Sequence, residues 1–131
     1  MGKIVHNPMK LVSFNGKGKY SEPEFTWIPT VAPTALVFFT SDNYGADYKN
    51  TLFVGDANTG TLYHFKLNAN RSGLELDGML NDKIANSESE IKNVTFATGF
   101  GRITDVDLGP DGNLYVLSSE NGLTVHKITK H

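Results

Sequence analysis

The sequence has no cysteine among its 131 residues, which excludes a disulfide framework and thiolate metal sites. It also lacks any apolar run approaching the roughly 20 residues of a membrane-spanning helix, so we expect no membrane partner. The first ten residues, MGKIVHNPMK, do not contain the apolar core of a signal peptide. The sequence therefore predicts no export signal in this chain and leaves its localisation open.

Neither sign of charge is in large excess. Twelve Lys and Arg residues against 14 Asp and Glu residues give a net charge of −2. Binding of nucleic acid or of an anionic lipid surface generally needs a basic patch, and the lysines here are scattered. We therefore expect no nucleic-acid partner.

Glycine and phenylalanine are plentiful, with 13 and 8 residues respectively, and turn dipeptides recur along the chain, which together predict an all-β protein. The clearest element is the hairpin of residues 101–118, GRITDVDLGPDGNLYVLS. Its two apolar arms flank Gly-Pro-Asp-Gly, in which proline presets φ and glycine accepts a positive φ. Further strands are predicted at 35–40, 51–56, 61–67 and 94–96. Residues 74–77 are predicted as a fourth, outer strand, and the polar stretch 81–92 has no convincing helical pattern.

An internal repeat indicates the architecture. The stretch TLFVGDANTGTLYH, residues 51–64, aligns with NLYVLSSENGLTVH, residues 113–126. This alignment superposes Gly60 on Gly122 and His64 on His126. Four-stranded antiparallel sheets repeated in series are the blades of a β-propeller. We expect two such blades, with an insertion at residues 69–92.

The predicted division is a lead-in at residues 1–24, a first blade with its insertion at 25–92 and a second blade at 93–131. A strand at residues 11–14 is a candidate to complete the second blade. Two blades cannot close a ring, since propellers usually need about 4–8. The chain is therefore expected to be a fragment of a longer propeller or to form homo-oligomers, with three copies giving a six-bladed ring.

Three motifs carry a family resemblance: WIPTVAP at 27–33, TLFVGDANTG at 51–60 and the hairpin at 101–118. In this order they resemble the C-terminal part of the soluble quinoprotein glucose and aldose sugar dehydrogenases, which use pyrroloquinoline quinone (PQQ). The resemblance covers residues 20–129 and the final third of a family member. It implies a six-bladed propeller and places the family's typical location in the periplasm or outside the cell.

The resemblance also implies a cofactor site. Trp27 and Thr30 correspond to the quinone-contacting residues of a W-P-T-x-A-P segment, although Ile28 lengthens the spacing by one. Asn58 stands where the family has a lysine, and Thr104 stands where it has the second arginine of an Arg-x-Arg-Asp motif; Arg102 matches the first. Since PQQ is a tricarboxylate and its site needs cationic donors, replacement of two of three cations is expected to weaken binding. The family's catalytic histidine and calcium-binding segment have no counterpart here, so no catalytic residue and no calcium ligand is assigned.

Three side-chain groups have two interpretations each. Arg102 and Asp105 are either ligand contacts or a salt bridge between strands. Asp107 and Asp111 suggest calcium, although Gly-Pro-Asp-Gly is more often a simple turn. The two aligned histidines either bind a metal or occupy the same structural position in separate blades.

Two functions follow from the sequence. The first is a propeller piece related to the PQQ-dependent sugar dehydrogenases, which oxidise aldose sugars, without catalysis by a single chain. The second is a non-catalytic propeller module for ligand binding or scaffolding that has lost the quinone site. The partners expected are copies of the chain itself and a sugar.

Overall fold

The computed structural model describes residues 15–131, and the strand expected at residues 11–14 lies outside them. The described chain is mostly β. Its strands are β1 (Thr26–Trp27), β2 (Pro33–Phe39), β3 (Thr51–Asp56), β4 (Leu62–Phe65), β5 (Ile84–Ala85), β6 (Thr95–Ala97), β7 (Ile103–Leu108), β8 (Leu114–Ser118) and β9 (Thr124–Lys127). A 3-10 helix at Gly78–Asp82 and the α-helix α1 at Glu88–Val94 lie between β4 and β6.

Two antiparallel sheets follow one another along the chain. The first has the order β2-β3-β4-β6 and the second the order β7-β8-β9, while β1 and β5 form a small parallel pair. Serial antiparallel sheets are what the propeller expectation requires. The second sheet has three strands within residues 15–131, and the candidate for its fourth strand, residues 11–14, lies outside the described residues.

The fourth strand of the first sheet is Thr95–Ala97, so its assignment to residues 74–77 was wrong. Leu74 forms only an isolated bridge with Leu67. Leu74 and Leu76 instead pack against the apolar cluster on the outer face of the sheet. The alternation of these leucines therefore reflects side-chain packing rather than a hydrogen-bonded ladder. The boundary between the two blades at residue 93 remains a prediction. Strand β6 lies after this boundary in the sequence, and it pairs with β4 of the first sheet.

The hairpin predicted at residues 101–118 is confirmed. β7 pairs with β8 in register from Asp105↔Leu117 to Leu108↔Leu114. The turn closes through the Gly112 N–H, which donates to the Gly109 carbonyl at 2.9 Å. Its first strand carries a bulge between Ile103 and Asp105, and β2 carries the same irregularity between Pro33 and Ala35. The first strands of the two repeats therefore share the same irregularity of backbone pairing.

The third strands of the two repeats are offset by one residue. Val54 pairs with Tyr63 in the first sheet, but its repeat equivalent Val116 pairs with His126 in the second. The turn before β9 is therefore one residue longer than the turn before β4. His126 corresponds to Tyr63 rather than to His64, and the expectation that the two histidines occupy one structural position was wrong.

The main core lies between the two sheets. Phe39, Phe53 and Leu62 from the first sheet meet four fully or nearly fully buried residues of the second: Ile103, Val106, Leu114 and Val116. Gly55 allows the sheets to approach closely, because a Cβ there would lie 2.6 Å from Ile103 Cγ2. A second cluster covers part of the opposite face of the first sheet and includes residues from α1 and the small parallel pair, namely Val54, Tyr63, Phe65, Leu80, Ala85 and Val94.

The helix α1 was not expected, and its cause is local. The Ser87 hydroxyl accepts a hydrogen bond from the Glu90 N–H, and the Glu90 carboxylate accepts from the Ser87 N–H at 3.0 Å. This reciprocal capping box has the sequence signature Ser-x-x-Glu. Hydrogen bonds from the backbone of Asn86, then from Ser87, hold the pKa of Glu90 below its usual value. Among the described residues, no helix has the length and apolar character needed to cross a membrane.

Candidate ligand pocket

A polar pocket of about 300 Å³ opens where the two sheets meet. It lies at the C-terminal ends of β3 and β8 and at the N-terminal end of β7. The β3–β4 turn forms one wall, and the loop before β7 together with the β8–β9 turn forms the other. The side chains that bring charge or an amide to this pocket are Asn58, Arg102 and Glu120.

Two glycines bring the walls of this pocket together. Gly60 has φ +65° and Gly101 has φ +73°, a region that L side chains rarely adopt. A Cβ at Gly60 would lie 2.8 Å from the Gly101 nitrogen, and the Phe100 N–H donates to the Gly60 carbonyl at 3.3 Å. Any side chain at either position would separate the turns, so the pocket depends on this backbone contact.

A buried carboxylate fixes the turn that carries Asn58. Asp56 is fully buried and accepts hydrogen bonds from the Asn58 N–H at 2.9 Å and the Thr59 N–H at 3.2 Å. It also accepts from the Ala32 N–H at 2.8 Å, while the Ala57 N–H donates back to the Ala32 carbonyl at 2.9 Å. Buried polar groups are stable when their hydrogen bonds are made, so Asp56 holds this turn against the segment that precedes β2.

Arg102 and Glu120 face the pocket without neutralising each other. Both residues are exposed, and no salt bridge within 4 Å involves either of them in residues 15–131. The Ser119 N–H donates to the Arg102 carbonyl at 2.9 Å, which fixes the two loops to one another through the backbone. The Glu120 side chain lies over Gly101, where a Cβ would come within 2.7 Å of the Glu120 Cβ.

The proposed salt bridge between Arg102 and Asp105 does not form in the described chain. The Asp105 carboxylate instead accepts a hydrogen bond from the Val106 N–H at 2.9 Å. The Thr104 hydroxyl donates to the Leu117 carbonyl at 3.2 Å, across the bulge of its own sheet. Thr104 is therefore engaged with the backbone, and it does not line the pocket.

The structure does not bring Trp27 to this pocket. Its ring contacts Phe25, Tyr63 and Phe65, with centroid distances of 4.9, 5.2 and 6.0 Å. The Trp27 Nε1 is buried and has no acceptor among the described residues. Thr30 is exposed in the segment before β2 and is outside the pocket lining. Of the five positions implied by the family resemblance, only Asn58 and Arg102 line one cavity.

Glu120 was not identified as a site residue from the sequence. The signal was present, because the repeat aligns Glu120 with Asn58 in the equivalent turn of the first sheet. Equivalent turns of neighbouring sheets converge on the same pocket here, so both positions of the aligned pair contribute to it.

The turn interpretation of Asp111 is confirmed. Its carboxylate accepts from the Asn113 N–H at 3.1 Å, the Lys127 ammonium at 2.6 Å and the Tyr115 hydroxyl at 3.0 Å. Lys127 first, then Asn113, holds the pKa of Asp111 far below its usual value. Asp107 accepts from the Leu108 N–H at 2.8 Å. No cluster of three or more His, Cys, Asp or Glu side chains arranged for a metal occurs in residues 15–131.

His64 and His126 are separate structural residues. His64 Nε2 lies 2.9 Å from the Thr51 hydroxyl, and His126 Nε2 lies 3.1 Å from the Ser118 hydroxyl. Burial lowers the pKa of His64 to about 4, with a smaller contribution from Lys66. Each imidazole is thus held by a hydroxyl of the adjacent strand within its own sheet.

Taken together, the serial sheets and the polar pocket between their turns define a mostly β protein with a candidate small-molecule site. The family model "Glucose / Sorbosone dehydrogenase" matches residues 6–126, so the chain belongs to this family. An uncharacterized protein of Synechocystis sp., slr1608, is 26% identical over 100 residues, which are 76% of this chain and 20% of the relative. The chain thus spans about a fifth of the length of that curated relative. The resemblance identified from the three motifs is confirmed.

The pocket of this chain does not fit the family's quinone. PQQ carries three carboxylates, and a desolvated anion site needs charge-assisted donors. Arg102 is the one cation in the lining, while Asn58 is neutral and Glu120 is a carboxylate. The local charges therefore cancel to zero, which does not match a tricarboxylate.

Proposed function

We propose that this chain is a non-catalytic ligand-binding module of the glucose/sorbosone dehydrogenase family, built as two blades of a six-bladed propeller. The observation that carries the proposal is the charge set of the pocket, in which Glu120 opposes Arg102 and Asn58 supplies only an amide. A hydrogen bond to a charged group contributes about 1.5–3 kcal/mol. With Arg102 as the one cation of the lining and Glu120 as an opposing carboxylate, the pocket supplies little driving force for binding the tricarboxylate PQQ.

The propeller part of this proposal is supported by the repeat. The first two strands of each sheet share their register and a bulge at the start of the first strand, and the third strands differ by a one-residue offset. They pack face to face through β2, β3 and β7, as successive blades do. Family membership adds to this support.

The first experiment mixes the 131-residue chain with PQQ, calcium, an aldose and an electron-accepting dye. We expect no quinone binding by fluorescence titration and no dye reduction. Dye reduction that depends on both the quinone and the sugar would contradict the proposal. A variant with Asn58→Lys and Glu120→Gln adds a cation to the pocket lining and removes the opposing charge, and it should gain measurable quinone affinity.

A second function is favoured by Arg102, which matches the family motif and has no salt-bridge partner in residues 15–131. In this alternative, the chain contributes Arg102 to a quinone site that is completed by other blades. The same titration separates the two functions, because quinone binding by wild-type chain that is lost in Arg102→Gln would support the alternative.

A further inference from the structure

The pocket at the sheet junction contains two opposite charges that do not bind each other. Arg102 and Glu120 both line a cavity of about 300 Å³, yet no salt bridge within 4 Å joins them. The four salt bridges of the described chain lie elsewhere: Lys49–Asp42, Lys66–Asp47, Lys83–Glu24 and Lys127–Asp111. Each charge is therefore available to a ligand in the cavity.

The backbone places the two charged residues side by side on one wall of the cavity. Glu120 is positioned by its contact with Gly101, and the Ser119 N–H binds the Arg102 carbonyl at 2.9 Å. Asn58 faces the same cavity from the turn that Asp56 stabilises. A guanidinium recognises a carboxylate, and a carboxylate accepts from an ammonium. The cavity is thus complementary to a small molecule with one group of each kind.

We infer that Glu120 sets the ligand class of this pocket: it rejects polycarboxylates and selects a small zwitterion whose carboxylate binds Arg102 and whose ammonium binds Glu120. This inference rests on the proposed function, since it concerns the same pocket. Selectivity arises partly from repulsion, because a second ligand carboxylate would face the Glu120 carboxylate.

The test uses two probes of similar length, 4-aminobutanoate as the zwitterion and glutarate as the dianion. Each is titrated into the full 131-residue chain at low salt, and the backbone amide shifts of Gly60, Gly99 and Gly101 are followed by NMR. Wild-type chain should bind 4-aminobutanoate at least about tenfold more tightly than glutarate, which corresponds to ~1.4 kcal/mol. Shifts with neither probe, or an equal affinity for both, would overturn the inference.

The decisive variant is Glu120→Gln, which keeps the shape of the side chain and removes its charge. It should weaken 4-aminobutanoate binding and strengthen glutarate binding, so that the preference disappears or reverses. Glu88→Gln is the matched control, since Glu88 is exposed on α1 and away from the pocket lining; it should keep the wild-type preference. An unchanged preference in Glu120→Gln would refute the role of Glu120.

These outcomes are distinguishable from failure of the proposed function. Sugar-dependent dye reduction by the wild-type chain with PQQ would contradict the non-catalytic proposal, whatever the small probes do. Absence of both dye reduction and zwitterion binding would leave the non-catalytic proposal standing and refute the ligand class inferred here.

Discussion

At the residue scale, His64 links the packing of the first sheet to pH. Its ring contacts Phe53 and Tyr48 at centroid distances of 4.9 and 5.0 Å, and burial lowers its pKa from 6.5 to about 4. The unfolded chain therefore binds more protons than the folded chain between these two values. Because stability rises with pH wherever the unfolded state binds more protons, the free energy of unfolding should fall as pH drops from 6.5 towards 4.

The measurement is urea unfolding at several pH values across this window. His64→Gln should be less sensitive to pH than wild type, since its side chain carries no titrating proton. His126→Gln is the control variant and should keep the part of the pH dependence that comes from His64. A wild-type profile that is flat between pH 6.5 and 4, or unaltered by His64→Gln, would contradict the assignment.

The histidines also show where residue-level reasoning from the sequence ends. The ungapped alignment of residues 51–64 with 113–126 placed His64 on His126. The structure pairs Phe53 with His64 but Val116 with His126, because the second turn has an additional residue. A one-residue offset reverses the face on which a strand side chain lies, and loop length is too variable for an ungapped repeat to detect it.

At the element scale, the capping box of α1 is open to a direct test. Ser87→Ala removes the hydroxyl that accepts from the Glu90 N–H, and such N-cap replacements cost about 0.5–2 kcal/mol. Asn93→Ala is the control because Asn93 is exposed within α1, away from its N-cap, and alanine is the better helix former there. Thermal unfolding should show a lower melting temperature for Ser87→Ala and an equal or higher one for Asn93→Ala. Similar losses in both variants would count against a stabilising role of the capping box.

Predictability at this scale depends on whether an element is specified locally. The 103–118 hairpin was predicted because its turn and both arms are contiguous in sequence, and the Ser-x-x-Glu signal of α1 was present in the sequence although it was not used. The parallel pairing of Thr26–Trp27 with Ile84–Ala85 joins segments almost 60 residues apart. The choice of Thr95–Ala97 over Leu74–Asp77 as an outer strand likewise depends on how intervening helices return the chain to β4. Such long-range pairings leave no contiguous pattern in one sequence.

At the scale of the whole molecule, the first sheet has one face against the second sheet, and its other face is only partly covered by residues 15–131. An apolar groove of about 470 Å³ crosses this second face, lined by Trp27, Leu36, Leu52, Val54, Phe65 and Leu74 among others. Leu36 is 63% exposed there. At the other end of the series, Val125 is 65% exposed and pairs with Leu117 on the outer face of the second sheet.

We propose that the second sheet of another copy covers this groove, repeating between chains the sheet-on-sheet contact seen within the chain, with three copies closing a ring. Burial of apolar surface contributes roughly 25 cal/mol per Å², so a charge at the centre of the groove should prevent assembly. Light scattering at micromolar concentration should therefore give a trimer mass for wild type and a monomer mass for Leu36→Glu. Met79→Glu is the matched control, because Met79 is 56% exposed, outside the groove lining and outside the second sheet, and it should remain trimeric. A wild-type chain that stays monomeric would refute the assembly while leaving the pocket at Arg102 and Glu120, which lies within one chain, unaffected.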